Sequence, residues 1–338
     1  MAKGRSNRDF DESDVRIRPA RTTKRRSKDR PDYSALPEAL VIQVDRGRSI
    51  CLSQDGTEIV AMKARELGKN SVVVGDRVIL DGDITGENGT LARIVTVKER
   101  KNSLSRTIDD IGVMERAIVA NVDSMLIVVA AADPAPKTGL IDRALVVAFD
   151  QGIKPILVIT KCDLTQPIEL RKLYSPLDIE IFESSRGCDL APLRKSLHGQ
   201  TSVLIGHSGV GKSTLLNAIL GEDVRTTGSV NEVTGRGRHT TSNAVAFPLA
   251  EHQGSKEIDG WLIDTPGVRS FGLRHIDPNR VVSSFEEFAE VISSCPKNCS
   301  HNEESCALNH LQEREPASAT RIASLRRLLT LDRENGYD

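Results

Sequence analysis

Ser202-Val203-Leu204-Ile205-Gly206-His207-Ser208-Gly209-Val210-Gly211-Lys212-Ser213-Thr214-Leu215-Leu216 runs from an apolar strand through a glycine-rich turn into a helix. That is the setting in which the pattern G-x4-G-K-[ST] cradles a phosphate chain. Glycines let the backbone double back without Cβ clashes, so that successive N–H groups point inward. Lys212 would reach the β and γ phosphates and Ser213 would ligate Mg2+, while Thr214 and the rest of the first helical turn would add the helix dipole. A ligand-free glycine-rich connection is the blander alternative, and it leaves Lys212 and Ser213 in register by chance. The loop Gly206, His207, Ser208, Gly209, Val210, Gly211, Lys212, Ser213, Thr214 is therefore expected to bind a nucleoside phosphate.

Two further motifs follow apolar strands. Pro155-Ile156-Leu157-Val158-Ile159 ends in Thr160-Lys161-Cys162-Asp163. A carboxylate at a strand mouth accepts two hydrogen bonds from guanine N1–H and N2–H2, whereas adenine offers it neither donor, so Asp163 would select guanine. Lys161 would lay its stem over the ring and Thr160 would tie this loop to the phosphate loop. Trp261-Leu262-Ile263 leads into Asp264-Thr265-Pro266-Gly267, a D-x-x-G in which Asp264 would hold Mg2+ through water and the Gly267 amide would donate to the γ phosphate. Between them lies Thr234-Gly235-Arg236-Gly237-Arg238-His239-Thr240-Thr241, a glycine-rich polar stretch suited to a switch. A hydroxyl there, such as that of Thr240, could reach the metal only while the γ phosphate is present.

The strands Ser124–Ala131, Pro155–Ile159, Val203–Ile205 and Trp261–Ile263 are near-continuous apolar runs, alternating with helical segments such as Leu140–Ala148. This predicts a mostly parallel sheet covered by helices, with its ligands at the carboxyl ends of the strands. Residues 37–106 differ: six short β-branched runs, Val72–Val74 among them, are punctuated by glycine turns, which predicts a small OB-type barrel. No aromatic residue lies in that stretch. Base stacking is thus disfavoured there, leaving phosphate or duplex-shape contacts, or a barrel that only braces its neighbour.

Residues 1–36 carry a dense Arg/Lys cluster with little apolar content, hidden within a net charge of −1 for all 338 residues. They read as a disordered basic arm, either a solvated tail or a polyanion contact. No apolar run has the length of a membrane span and the N-terminus lacks a signal-peptide core, so a soluble cytoplasmic protein is expected.

Near the other end, Cys295-x3-Cys299-x-His301-x4-Cys306 gathers three thiols and an imidazole. Zn2+ takes four S/N ligands in a closed tetrahedron, which would make the site structural. Unligated cysteines or redox chemistry are the alternatives, and His310 is a lesser candidate ligand. Val281–Ser293 and Thr320–Leu329 read as helices, the second amphipathic and basic: a solvated face or an RNA contact.

The base-selecting motif precedes the phosphate loop, and so does Ser184-Ser185-Arg186-Gly187, a candidate second base loop. Ordinary GTPases place both after D-x-x-G, so this order demands a circular permutation. With its barrel, the G-R-G-R-H-T-T stretch at Gly235–Thr241 and the Cys/His cluster, the sequence resembles the RsgA family, GTPases dependent on the small ribosomal subunit. The resemblance implies an α/β fold, a circularly permuted P-loop GTPase domain at 107–273 between an N-terminal OB-type barrel at 37–106 and a C-terminal zinc-binding helical module at 274–338. It implies GTP hydrolysis to GDP stimulated by the small subunit and its rRNA during late maturation. A monomer that binds no membrane is expected. Val268 stands where many GTPases carry the water-orienting Gln, so unaided hydrolysis is expected to be slow, with external help worth on the order of 10^5-fold. By resemblance, His239 would orient the water, with Lys212 and Thr240 completing the catalytic set. The rival readings are a nucleotide-timed rRNA-binding module with incidental hydrolysis and a P-loop kinase or ATPase without a ribosomal role.

Overall fold

The computed structural model describes residues 32–45, 47–68, 71–107, 115–221, 244–250, 257–265 and 277–334. The arm up to residue 31, the stretch Thr234–Thr241 with His239 and Thr240, and Gly267 with Val268 lie outside the described residues.

Five short strands close into a barrel: β1 (Glu38–Asp45), β2 (Arg48–Ser53), β3 (Glu58–Lys63), β4 (Arg77–Gly82) and β5 (Ala92–Val97). The ring runs β1-β2-β3-β5-β4 and returns to β1, with β3 and β5 parallel and the other pairs antiparallel. Because side chains alternate across a strand, Val41, Cys51, Ile59, Val78, Leu80 and Ile94 all point inward and are fully buried. Val72–Val74, expected as a strand, forms only a bridge from Val74 to Val119. The Val73 amide instead donates to the Asp76 carboxylate at 2.8 Å, and Gly75 at φ +87° turns the chain immediately afterwards.

A hairpin of β6 (Ser103–Thr107) and β7 (Glu115–Ala120) joins the barrel to the rest. Its short, polar first strand has no period that marks it in the sequence. The α/β part then follows in order: β8 (Ser124–Ala130), α1 (Thr138–Asp150), β9 (Lys154–Thr160), α2 (Ile168–Tyr174), β10 (Glu180–Glu183), α3 (Ala191–Leu197), β11 (Thr201–Ile205), α4 (Lys212–Leu220), β12 (Val245–Ala250) and β13 (Ile258–Asp264). Strands β10-β9-β8-β11-β13 are parallel, and β12 is antiparallel to β13. Every residue of β8 is buried, as its unbroken apolar run predicts for a strand covered on both faces. The barrel strand β1 pairs with β12 through Gln43 and Val245, so among the described residues eleven strands make one continuous sheet.

The C-terminal helices are α5 (Pro278–Ser283), α6 (Ala289–Ser293), α7 (Ala307–Arg314) and α8 (Ala319–Glu334). The single helix expected over Val281–Ser293 is divided after Ser283. Phe285 turns inward at the break, stacks on Phe288 at 6.2 Å between centroids and meets Phe149 of α1 edge-on at 5.9 Å. Val281, Leu308, Ile322 and Leu325 share one apolar core with Ile141 and Leu145 of α1.

The arginines of α8 depart from the solvated or RNA-facing role read from sequence. Arg321 pairs with Glu287, donates to Pro176 O at 2.7 Å and lies over the Phe285 ring. Arg326 donates to His301 O at 2.7 Å and Asn309 Oδ1 at 2.6 Å, and Arg327 pairs with Asp142. Their charge fastens the helix to its neighbours. Among the described residues no helix is long and apolar enough to cross a membrane.

Candidate functional site

Strand β11, buried from Ser202 to Ile205, delivers the chain to the phosphate-loop sequence, and α4 begins at Lys212. Gly206 is required by space as well as conformation: at φ +150°, a Cβ there would stand 2.3 Å from Val128 O of β8. Gly209 and Gly211 also have positive φ, +82° and +94°, so three glycines curl the loop and aim it into the helix. Lys212 Nζ donates to Gly206 O at 2.6 Å and His207 O at 2.8 Å, which holds the ammonium over the loop. α4 starts directly on this loop, and the N-terminus of a helix is suited to anionic oxygens.

Thr160-Lys161-Cys162-Asp163 emerges at the end of β9, two strands away. Thr160 Oγ1 lies 2.5 Å from Val210 O and 3.2 Å from Val129 O. A hydroxyl has one proton to give, and the shorter contact directs it to the phosphate loop. Lys161 sits at φ +57° and its Nζ donates to Asp133 O. The strand pairing of β9 and β10 continues past their ends: Ser184 N donates to Ile159 O at 2.7 Å and Cys162 N to Ser184 O at 3.1 Å. The two loops are thereby held side by side.

One cavity of about 700 Å3 lies between these elements. Lys161 and Asp163 line one wall, Ser185 and Arg186 a second, and Gly211 with Thr214 a third. Residues 48 positions apart, Asp163 and Gly211, therefore border the same space. Asp133 also lines it and belongs to no motif; an Asp-Pro pair just past the fully buried strand β8 is the available signal, since strand mouths are where such sheets bind ligands.

Asp264 closes β13, 4 % exposed, in register with Leu204 of the neighbouring β11. Thr265 Oγ1 donates back to Leu204 O at 2.7 Å. The start of D-T-P-G is thus fixed beside the strand that feeds the phosphate loop.

A separate cluster forms where α6 ends and α7 begins. Cys295 Sγ stands 3.7 Å from His301 Nδ1 and 3.9 Å from Cys306 Sγ, and Cys306 Sγ is 3.9 Å from His301 Nδ1. With Cys299, all four donor atoms lie within 4.8 Å of one another. Donors about 2.3 Å from one ion in a tetrahedron are about 3.8 Å apart, so the set fits a single cation. Burial lowers the pKa of His301, keeping its imidazole neutral near pH 7 and able to ligate. Burial raises the thiols of Cys295 and Cys299, so a cation is needed to hold them as thiolates. Within the cluster His301 N donates to Cys299 Sγ at 3.4 Å, and from outside Arg326 donates to His301 O. His310 points elsewhere, exposed on α7 and 3.8 Å from Glu313.

The profile of the RsgA GTPase family matches residues 97–274. The chain is 36 % identical over 278 residues to the small ribosomal subunit biogenesis GTPase RsgA of Ectopseudomonas mendocina, covering 79 % of this chain and 77 % of that protein. It is 34 % identical over 274 residues to the protein of the same name from Saccharophagus degradans, covering 77 % and 76 %. Among solved structures, YjeQ from Thermotoga maritima superposes with a TM-score of 0.64 at 26 % identity, over 89 % of this chain and 99 % of that one. YloQ, described as a circularly permuted GTPase, shares the fold with a TM-score of 0.61 at 24 % identity, over 92 % and 99 %.

Proposed function

The chain belongs to the RsgA family of circularly permuted GTPases, and from that premise we propose that it hydrolyses GTP on the small ribosomal subunit during late subunit maturation. The observation that carries the reading is the single cavity bordered by Asp163 and by Gly211 and Thr214. Guanine enters between the two base loops, with Asp163 accepting from N1–H and N2–H2 and Lys161 covering the ring. Thr160 couples that recognition to the phosphate loop through Val210 O. Loop amides and Lys212 hold the β and γ phosphates. Ser213 and Asp264 would hold Mg2+, which supplies neutralisation of charge developing on the phosphates. Gly267, Thr240 and His239 complete the site, His239 as the residue that orients the attacking water.

Cys295, Cys299, His301 and Cys306 hold one Zn2+ in a structural role, leaving no position open to substrate. The chain divides as an arm to residue 36, a barrel at 37–106, the GTPase domain at 107–273 and the zinc module at 274–338. It acts as a cytoplasmic monomer, and it contacts rRNA through its phosphates. Turnover of GTP by the purified chain, measured alone and with small or large subunits, tests the reading. Stimulation confined to small subunits is the expected result; turnover indifferent to them, or ATP competing as well as GTP, would remove it.

A further inference from the structure

Two cysteines sit in the proposed base loops, apart from the Cys/His cluster. Cys162 sits in the T-K-C-D loop after β9, and Cys188 follows the turn Ser184–Gly187 after β10. Ser184 connects them. Its carbonyl accepts the Cys162 amide at 3.1 Å, and its hydroxyl oxygen lies 3.6 Å from Cys188 Sγ. Cys162 Sγ points to Ile159 O at 3.2 Å, the same carbonyl that accepts the Ser184 amide at 2.7 Å. Cys162 and Ser184 lie on paired backbones about 5 Å apart, and the Cys188 side chain meets that same Ser184; a disulfide between the two thiols requires the Ser184–Cys188 turn to hold their Cα atoms within about 7 Å. Cys188 lines the cavity and is partly exposed, while burial raises the Cys162 thiol.

We propose that Cys162 and Cys188 form an oxidisable dithiol whose closure by a peroxide clips the two base loops together and slows nucleotide release. The accessible Cys188 thiolate attacks the peroxide, breaking the O–O bond and leaving a sulfenic acid and one water or alcohol. The Cys162 thiolate then displaces water from that sulfur, so two thiols give up two protons and two electrons and one S–S bond forms. Slower release follows from position. The base lies between Asp163 on one loop and Ser185 with Arg186 on the other, and it leaves when they part.

The inference rests on the guanine-pocket reading for its effect on nucleotide but not for the bond itself, and the test separates the two. The reduced full-length chain is treated with hydrogen peroxide, the remaining thiols are alkylated, and the digested peptides are mapped; release of a fluorescent GDP analogue is timed before and after. A Cys162–Cys188 linked peptide is expected, with release slowed about fivefold and both changes reversed by dithiothreitol. In Cys162→Ser and Cys188→Ser the ratio of oxidised to reduced rates should stay near one whatever the basal rate, which separates this pair from oxidation of the metal-site thiols. The proposal fails if both cysteines remain open to alkylation after peroxide, if they link to other cysteines instead, or if the linked protein releases the analogue at the reduced rate. A reduced chain that does not take up the analogue overturns the pocket reading, while the peptide map still decides the dithiol.

Discussion

Arg327 of α8 reaches Asp142 of α1, its Nη2 donating to Oδ1 at 3.3 Å while Nε stands 3.2 Å from Oδ2 at an angle that leaves the second contact coulombic. Asp142 is buried, and the guanidinium also lies 5.2 Å from the Tyr174 ring centroid. The contact joins the helical module to the helix that follows β8, within the core they share. A rigid swing of the module against α1 would have to break this pair and expose that core.

Removing one member of a largely buried pair leaves the other charge uncompensated. Arg327→Met should destabilise the chain by about 2 kcal/mol, less than a fully enclosed pair because the guanidinium is partly exposed. The double variant with Asp142→Asn should recover part of that loss. Urea unfolding of the three variants checks both statements, and strict additivity would show that the two side chains do not interact.

Asp163→Asn replaces an acceptor pair with one acceptor and one donor. Guanine loses a partner for its amino group, so GTP affinity should fall by roughly 10^2-fold or more. Xanthine carries a carbonyl at the same carbon and can accept from the new amide, so xanthosine triphosphate should gain affinity. Titration with both nucleotides is the measurement; an unchanged preference for GTP would place the base elsewhere.

Cys299→Ser should remove stoichiometric zinc, read by metal analysis of the purified protein. Melting should shift downward, because the ligand loop anchors Arg326 and hence α8. GTP affinity should change little, since the loops after β9 and β10 together with α3 and α4 line the cavity without residues of the cluster.

Gly75→Ala tests the junction between barrel and hairpin. Gly75 has φ +87°, and a Cβ there would stand 2.1 Å from Ala120 O, a backbone atom that cannot rotate away. A loss of about 3 kcal/mol or more is expected in denaturant unfolding.

Glu38 accepts from Lys98 and, at 3.4 Å, from Arg77, and the Lys98 contact foremost holds its carboxyl below the ordinary value of 4.5. The folded chain therefore binds this proton less readily than the unfolded one. The contribution is present above pH 4.5 and is lost as pH falls through the lower folded value. Glu38→Gln should cost about 0.5–1 kcal/mol at pH 7, and the gap to wild type should close in acid. A gap that widens on acidification would reverse the sign.

The strands around the nucleotide site were legible because each is a short apolar run ending in a polar motif. Val203–Ile205, Pro155–Ile159 and Trp261–Ile263 all became buried parallel strands with their motifs at one end of the sheet. Val72–Val74 misled because β-branched residues are as content in a buried turn as in a ladder when an aspartate takes their amide. The strand Ser103–Thr107 escaped because four polar residues around the one apolar Leu104 carry no clear period.

The clustering of Cys295, Cys299, His301 and Cys306 was readable from spacing alone, since a dozen residues of loop cannot keep four such donors far apart. Asp133 and the roles of Arg321, Arg326 and Arg327 were not. A basic helix has the same composition whether its charges face water or bury against carboxylates and carbonyls on other elements.

Sequence alone determined the identity of the chemical groups, the local turn or strand that carries each, and the inverted order of the base and phosphate motifs. These follow from short-range rules of glycine conformation, side-chain period and donor–acceptor pattern. Tertiary structure decided that Asp163 and Gly211 border one cavity, that β1 of the barrel extends the sheet at β12, and that the arginines of α8 turn inward. Such facts depend on which distant surfaces exclude water from one another, and burial between elements far apart in the chain leaves no mark in the residues of either one taken singly.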